Sequence, residues 1–333
     1  SGFSLYFEDA LRQIMSFNNT SASISYIREF LETEDRWKRG EGIGRTRVEQ
    51  IRQNAVKLEF RDVSFTYPGN EKPTLKHINM VITPGEKIAL IGLNGAGKTT
   101  LVKLMCGFYH PTEGEILLND IPIDEFSRDE YYRLVSVLFQ DATMLALSLD
   151  ENLTGQNPED IDRARLEKSL QLSNFSDIYE KLPQKGESLL VREINQGSTD
   201  FSGGEKQKML FARTLYLNAP LVILDEPTAA LDPIAENELY MNYGASMENK
   251  TGVYISHRLS STRFCDRILL LEHGEIIEEG THESLLAGNT RYAELFRVQS
   301  QYYKEEDERK RKSKLMGDAY ETKTGKERGV FDE

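Results

Sequence analysis

The sequence predicts an α/β fold: a mostly parallel sheet covered by helices, with an inserted helical subdomain. Three observations carry this. Short apolar runs at Ile116–Leu118, Val135–Phe139, Leu221–Leu224, Val253–Ile255 and Ile268–Leu271 alternate with helical stretches, as strands buried on both faces do. The glycine-rich segment Gly92-Leu-Asn-Gly-Ala-Gly-Lys-Thr-Thr100 is entered by the apolar run Lys87–Ile91 and left by Leu101, Leu104 and Met105 at helical spacing. Residues 141–200 are polar, contain Pro158 and Pro183, and read as a helical insertion.

Taken in order, residues 5–35 read as a helix, with Leu11, Ile14, Ile24, Ile27 and Leu31 scattered among polar residues. It is too polar for a bilayer and too sparse for a core. Residues 36–55 carry glycine and mixed charge and are expected to be a linker, so that no core depends on residues 1–50. Val56, Leu58 and Phe60, then Val63, Phe65 and Tyr67, alternate as half-buried strands. The main domain is expected over 56–303, with its helical subdomain at about 141–218. The tail 304–333 is nearly all charge and small polar residues and is expected to be disordered.

Composition limits the function. A chain of 333 residues suffices for one large domain or two smaller ones. A net charge of −13 and a pI of about 5.1 make broad nucleic-acid binding a poor reading. Any phosphate site must be a local positive pocket. Cys106 and Cys265 are too few for a disulfide framework, which favours a reducing compartment. No apolar run approaches the length that spans a bilayer. The start lacks the basic flank and apolar core of a secretory signal.

The glycine-rich segment fits G-x-x-x-x-G-K-[ST], with Gly92, Gly97, Lys98 and Thr99 at the fixed positions. Glycines let the backbone close on a phosphate, and the helix N-terminus favours the anion. Lys98 supplies a mobile positive charge and the Thr99 hydroxyl a Mg²⁺ ligand. Leu221-Val-Ile-Leu-Asp225-Glu226 is a buried strand with two carboxylates at its C-terminal end, where ligands sit in open α/β sheets. Asp225 there suits Mg²⁺ and Glu226 suits activation of an attacking water. A third element, Ser202-Gly203-Gly204-Glu205, leads into the helical run Met209–Leu215 and makes a second anion-binding helix start. Two such starts separated by an insertion suggest a nucleotide clamped by two surfaces.

The ordered set of phosphate loop, Gln140, Ser202-Gly-Gly, Leu221–Glu226, Ala230-Leu-Asp232 and Ser256-His257 resembles the nucleotide-binding domain of an ABC transporter over roughly residues 56–303. The resemblance implies a P-loop ATPase core with a mostly parallel sheet, an N-terminal antiparallel β subdomain and an inserted helical subdomain, which binds ATP and Mg²⁺. It implies that Gly92, Asn94, Gly95, Ala96, Gly97, Lys98, Thr99 and Thr100 hold the phosphates, and that Tyr67 stacks on adenine. Thr99, Gln140 and Asp225 would hold Mg²⁺. Glu226, His257, Gln140 and Lys98 would carry catalysis. Ser202, Gly203, Gly204 and Asp232 would act across a head-to-tail dimer of two nucleotide-binding domains, identical or not, and Arg192–Ser198 would face a transmembrane domain. Phe201 stands where the family usually has Leu, and Glu205 where it usually has Gln. Phe65-Thr-Tyr-Pro, Ser256-His-Arg-Leu-Ser-Ser and Glu279-Gly-Thr-His-Glu are similar to the exporter branch. On that likeness, residues 1–35 are the cytoplasmic end of a membrane domain, and the chain works at the cytoplasmic face of a membrane. The rival readings are a separate importer subunit and a soluble ABC ATPase of translation or DNA repair. One phosphate loop and the absence of heptads in 141–200 weigh against the latter.

Overall fold

The computed structural model describes residues 2–32, 42–140, 142–191, 194, 197–227, 243–244, 246–256 and 259–301. Two sheets organise them. The first is four-stranded and antiparallel, in the order β2-β1-β4-β5, from β1 (Leu58–Phe65), β2 (Leu75–Ile82), β4 (Glu113–Leu118) and β5 (Ile121–Pro122). The second has the order β10-β9-β3-β8-β7-β6, from β3 (Lys87–Ile91), β6 (Val135–Leu138), β7 (Leu221–Asp225), β8 (Thr251–Ile255), β9 (Arg267–Glu272) and β10 (Glu275–Gly280). All its neighbours are parallel except the β9–β10 pair.

Alternate residues of the parallel strands feed different cores, which is why their sequences read as continuous apolar runs. Ile88, Leu90, Ile223, Leu269 and Leu271 face the antiparallel sheet and helix α3 (Lys98–Met105). Val222 and Leu224 face the inserted helices α5 (Leu149–Thr154), α6 (Arg163–Leu172) and α8 (Gly203–Leu217). Ala89, Ile91, Ile268 and Leu270 face the C-terminal helices, through Leu285 and Tyr292.

The structure corrects the sequence reading in three places. The two short strands expected at 56–60 and 63–67 are one strand, β1, broken in register between Phe60 and Val63. Asp62, at φ 50°, supplies the irregularity, so the inward face changes phase. The run Ile116–Leu118 pairs antiparallel with β1 rather than joining the parallel sheet. The span 36–55 is not a plain linker over its described part. It holds helix α2 (Arg45–Arg52), with Val48 1% exposed in the main core. Ile43 and Gly44 donate their backbone N–H groups to the Glu130 carboxylate at 3.1 and 2.9 Å, and Arg52 donates to the Leu217 carbonyl at 2.9 Å. The core therefore does depend on residues before Val56. Glycines and charges hid one apolar residue in each turn of a short helix.

Helix α1 (Gly2–Glu32) forms as expected, and every described side chain on it is exposed. Among the described residues no helix is long and apolar enough to cross a membrane. The tail beyond 301 lies outside the described residues.

Candidate nucleotide site

Parallel pairing puts the C-terminal ends of β3, β8, β7 and β6 on one edge of the sheet: Leu90 pairs with Ile255, Asp225 with Ile255, and Leu138 with Leu224. The loop after β3 turns at once into α3. Gly95 and Gly97 sit at φ 79° and 110°, in the left-handed region that L side chains rarely adopt. Gly97 is the N-cap of α3, and no side chain caps that end. A Cβ there would lie 2.8 Å from Leu75 Cδ2. The first N–H groups of α3 therefore lack a side-chain acceptor, the condition for anion binding at a helix start.

Lys98 follows, 7% exposed, and its Nζ donates to the carbonyls of Gly92 at 2.8 Å and Leu93 at 3.1 Å. These bonds curl the loop around the ammonium. Burial holds the Lys98 pKa below its ordinary value, opposed by the charges of Glu226 and Asp225. A phosphate would add counter-charge to a partly desolvated cation.

Beside the loop lies a cavity of about 370 Å³. Asn94, Gly95, Gly97, Lys98, Thr99 and Thr100 line it from the loop and α3. Gln140 reaches it from beyond β6, Asp225 and Glu226 from the end of β7, and Thr74 from the turn before β2. Asp225 is 6% exposed. Glu226 has φ 50°, and its N–H donates to the Ile255 carbonyl at 2.9 Å. A left-handed Glu costs about 1–3 kcal/mol and persists where neighbours over-determine it. The turn ends the strand abruptly and leaves the carboxylate at the cavity wall.

The donor set fits Mg²⁺. A hydroxyl (Thr99), an amide (Gln140) and a carboxylate (Asp225) are hard oxygen ligands, too few for an all-protein cage and suited to a cation that keeps phosphate and water ligands. Among the described residues no cluster of three His, Cys, Asp or Glu side chains offers another metal site.

Residues 75–229 match the family model for the ABC transporter. The chain is 39% identical over 252 residues to an ATP-dependent lipid A-core flippase of Burkholderia orbicola, covering 75% of this chain and 41% of that protein. It is 35% identical over 280 residues to the subtilin transport ATP-binding protein SpaT of Bacillus subtilis, covering 84% of this chain and 44% of that one. The structure of a bacterial Atm1-family ABC exporter with ATP bound aligns with a TM-score of 0.68 at 30% identity, over 74% of this chain and 42% of that one. The chain carries an ABC transporter ATPase domain. It spans about two fifths of the length of these relatives.

Within this ABC domain the signature segment lies apart from the cavity: none of Ser202, Gly203 and Gly204 lines it. Ser202 is instead the N-cap of α8. Its backbone N–H donates to Glu205 Oε2 at 2.9 Å and its hydroxyl donates to the same oxygen at 2.7 Å. The Glu205 N–H returns a bond to Ser202 Oγ at 3.4 Å. Ser202's hydroxyl holds the Glu205 carboxyl below the usual carboxylate range, helped by its backbone N–H. The Glu that departs from the family pattern thus completes a capping box.

Tyr67 does not line the cavity but stands over α3. Its hydroxyl is 3.1 Å from Thr100 Oγ1, Lys103 Nζ lies 5.6 Å from its ring centre, and Phe65 and Tyr109 meet it edge-on. Gly92 and Ala96 shape the loop from behind, without lining the cavity. Asp232 and His257 lie outside the described residues, as do Arg192, Glu193, Asn195 and Gln196 of the Arg192–Ser198 loop. Sequence reasoning missed Thr74, a turn residue with no motif around it. It also missed Asn152, 1% exposed, whose amide bonds Leu145 N and O and Ser148 O and so fastens the strand–helix connection after Gln140.

Proposed function

We propose that this chain is the ATP-binding and ATP-hydrolysing head of an ABC exporter. The observation that carries the reading is the convergence of Lys98, Thr99, Gln140, Asp225 and Glu226 on one cavity at the C-terminal edge of the parallel sheet. Lys98 and the bare start of α3 bind the outer phosphates. Thr99, Gln140 and Asp225 hold Mg²⁺, which when bound neutralises charge on the β- and γ-phosphates. Glu226 accepts a proton from the water that attacks the γ-phosphorus as the bond to the β–γ bridging oxygen breaks, with His257 on the γ-phosphate. Tyr67 stacks on adenine. Ser202, Gly203, Gly204 and Asp232 act on the nucleotide of a second, head-to-tail domain. Because the signature is absent from the chain's own cavity, a partner's signature is needed to close it.

The exporter assignment rests on two further supports. The chain matches only 41% and 44% of relatives named as a flippase and a transport ATP-binding protein, and α1 leaves Met15, Phe17, Tyr26 and Leu31 each at least 66% exposed. We read residues 1–35 as the continuation of a membrane domain at the cytoplasmic face, where other helices cover these side chains. Exposed Phe108 meets exposed Tyr132 and half-buried Phe139, which precedes Gln140, and exposed Leu145 and Leu147 follow. This apolar surface suits contact with the membrane domain.

The test is Glu226→Gln. Turnover should fall by about 10²–10⁴-fold with ATP affinity retained, since the carboxylate serves water activation and not binding. Near-normal turnover would remove Glu226 from this role.

A further inference from the structure

A polar ring with buried Thr262, His282 and Tyr292 and an exposed Arg263 joins the segment that carries Ser256 and His257 to the C-terminal helices. After β8 the chain passes through Ser256 and a 3₁₀ turn, Leu259–Phe264. Thr262, 1% exposed, and Arg263 lie in that turn. Arg263 Nε donates to His282 Nε2 at 3.3 Å. His282 Nδ1 lies 2.7 Å from the Tyr292 hydroxyl, and Thr262 Oγ1 lies 2.9 Å from the same hydroxyl. Thr262 and Arg263 are consecutive, so the ring closes through the backbone.

Chemistry fixes the direction of the two bonds at His282. A guanidinium only donates, so Nε2 of His282 must be the unprotonated nitrogen. The proton of the neutral ring is then on Nδ1 and donates to the Tyr292 oxygen. The Tyr292 and Thr262 hydroxyls share the remaining bond. A protonated His282 would lose the acceptor for Arg263 and bring two cations together. Burial and Arg263 both hold the His282 pKa below its ordinary value, against a smaller opposing effect of Glu283.

The ring is itself held. His282, 8% exposed, packs edge-on against Tyr292 and Phe296, with centroids 5.9 and 5.2 Å away. Glu278 of β10 accepts the N–H groups of Arg291 at 2.6 Å and Tyr292 at 2.9 Å. At its other end the Ser256 segment starts from Ile255, whose carbonyl accepts the Glu226 N–H. The segment is thus anchored at two points, one tied to Glu226 and one tied to the C-terminal unit.

We propose that His282 is a positioning residue for ATP hydrolysis: neutral, it closes the Arg263–His282–Tyr292–Thr262 ring and so fixes the far end of the segment carrying Ser256 and His257. This rests on the reading that His257 acts on the γ-phosphate. The charged and titratable groups facing His282 are Arg263 from the 3₁₀ turn, Glu283 beside it on its own helix and Tyr292 from the helix over 291–301, while Glu278 of β10 holds the Tyr292 backbone.

Tyr292→Phe tests it most gently, because it removes the bridging hydroxyl and keeps the ring packing. His282→Gln is the companion, since its amide oxygen can still accept from Arg263 but cannot also reach Tyr292. In ATPase assays on this chain, kcat should fall by between about ten- and a hundredfold in Tyr292→Phe, with KM for ATP within about twofold, the pattern of a misplaced group rather than a lost binding contact. The double variant should lose little more than the single ones, because both break the same ring. Because the His282 pKa is held below its ordinary value, the fall in wild-type kcat below about pH 6 should be shallower in His282→Gln. Hydrogen exchange should speed up over 255–264 and not over 221–226. Unchanged kcat in Tyr292→Phe and His282→Gln, or a raised KM at constant kcat, overturns the proposal. His257→Ala separates the two layers. If it leaves turnover intact, the reading of His257 fails. If it abolishes turnover while the ring variants keep theirs, only the positioning role fails.

Discussion

Two helices of this domain start on glycine-rich sequences, and they complete their first turns in opposite ways. Helix α3 starts from Gly97 in the left-handed region, with no side chain on its N–H groups. Helix α8 starts from Ser202, closed by a capping box with Glu205. The first end is assembled around a cavity of its own chain and bare towards it. The second commits its hydroxyl to a neighbouring carboxylate and does not line the cavity beside the phosphate loop. Sequence alone makes both ends look alike, as glycines before an amphipathic helix. Their caps separate an end left bare towards a cavity from one closed by its own carboxylate, which in the proposed reading acts only on the nucleotide of a second domain.

Gly97→Ala should have the larger effect of the substitutions at these ends. It forces an L side chain to φ 110° and against Leu75, so stability should fall by about 1–3 kcal/mol and ATP affinity with it. A thermal melt with a nucleotide titration checks this, and an unaltered melt would show that the loop relaxes freely. Ser202→Ala should cost about 0.5–2 kcal/mol, as lost N-caps do, and leave ATP binding to the chain's own pocket unchanged. Weakened binding by the lone chain would erase the distinction between the two ends. Glu205→Gln should be the smallest change, within about 0.5 kcal/mol at pH 7, since an amide oxygen also accepts from Ser202.

The pH dependence sharpens the last case. Ser202 lowers the Glu205 pKa in the fold. Such a group adds stability that is present above its unfolded value and is lost as pH falls through the folded one. The stability difference between wild type and Glu205→Gln should therefore be constant above pH 5 and change only below about pH 4.5. A difference that drifts between pH 6 and 8 would assign the effect to another group.

Much of this was legible in the residues. The phosphate loop, the Asp225–Glu226 strand end and the Ser202 helix start are local patterns, and local patterns survive folding. The parallel strands were visible because both faces are buried. What was hidden depends on contacts far along the chain. Helix α2 shows one fully buried residue, Val48, among charges, so its periodicity was too weak to read. β2 was missed because His77, Asn79 and Val81 face outward between its buried positions. Asp62 changed the phase of β1 by a backbone choice that its side-chain type permits but does not announce. The ring around His282 joins residues 262, 263, 282 and 292, and no motif spans that distance. Thr74 lines the cavity only because the turn before β2 folds over the loop.

The central claim is that a complete site takes its loop from one chain and its signature from another. Mixing two inactive variants, Lys98→Ala and Ser202→Arg, tests it most directly. Each alone should lack ATPase activity, the first through its own cavity and the second through its partner's. In the mixed dimer one site pairs an intact Lys98 with an intact Ser202, and activity should return to a measurable fraction of wild type. Mixed dimers that form, bind ATP and remain as inactive as either parent would contradict the shared site.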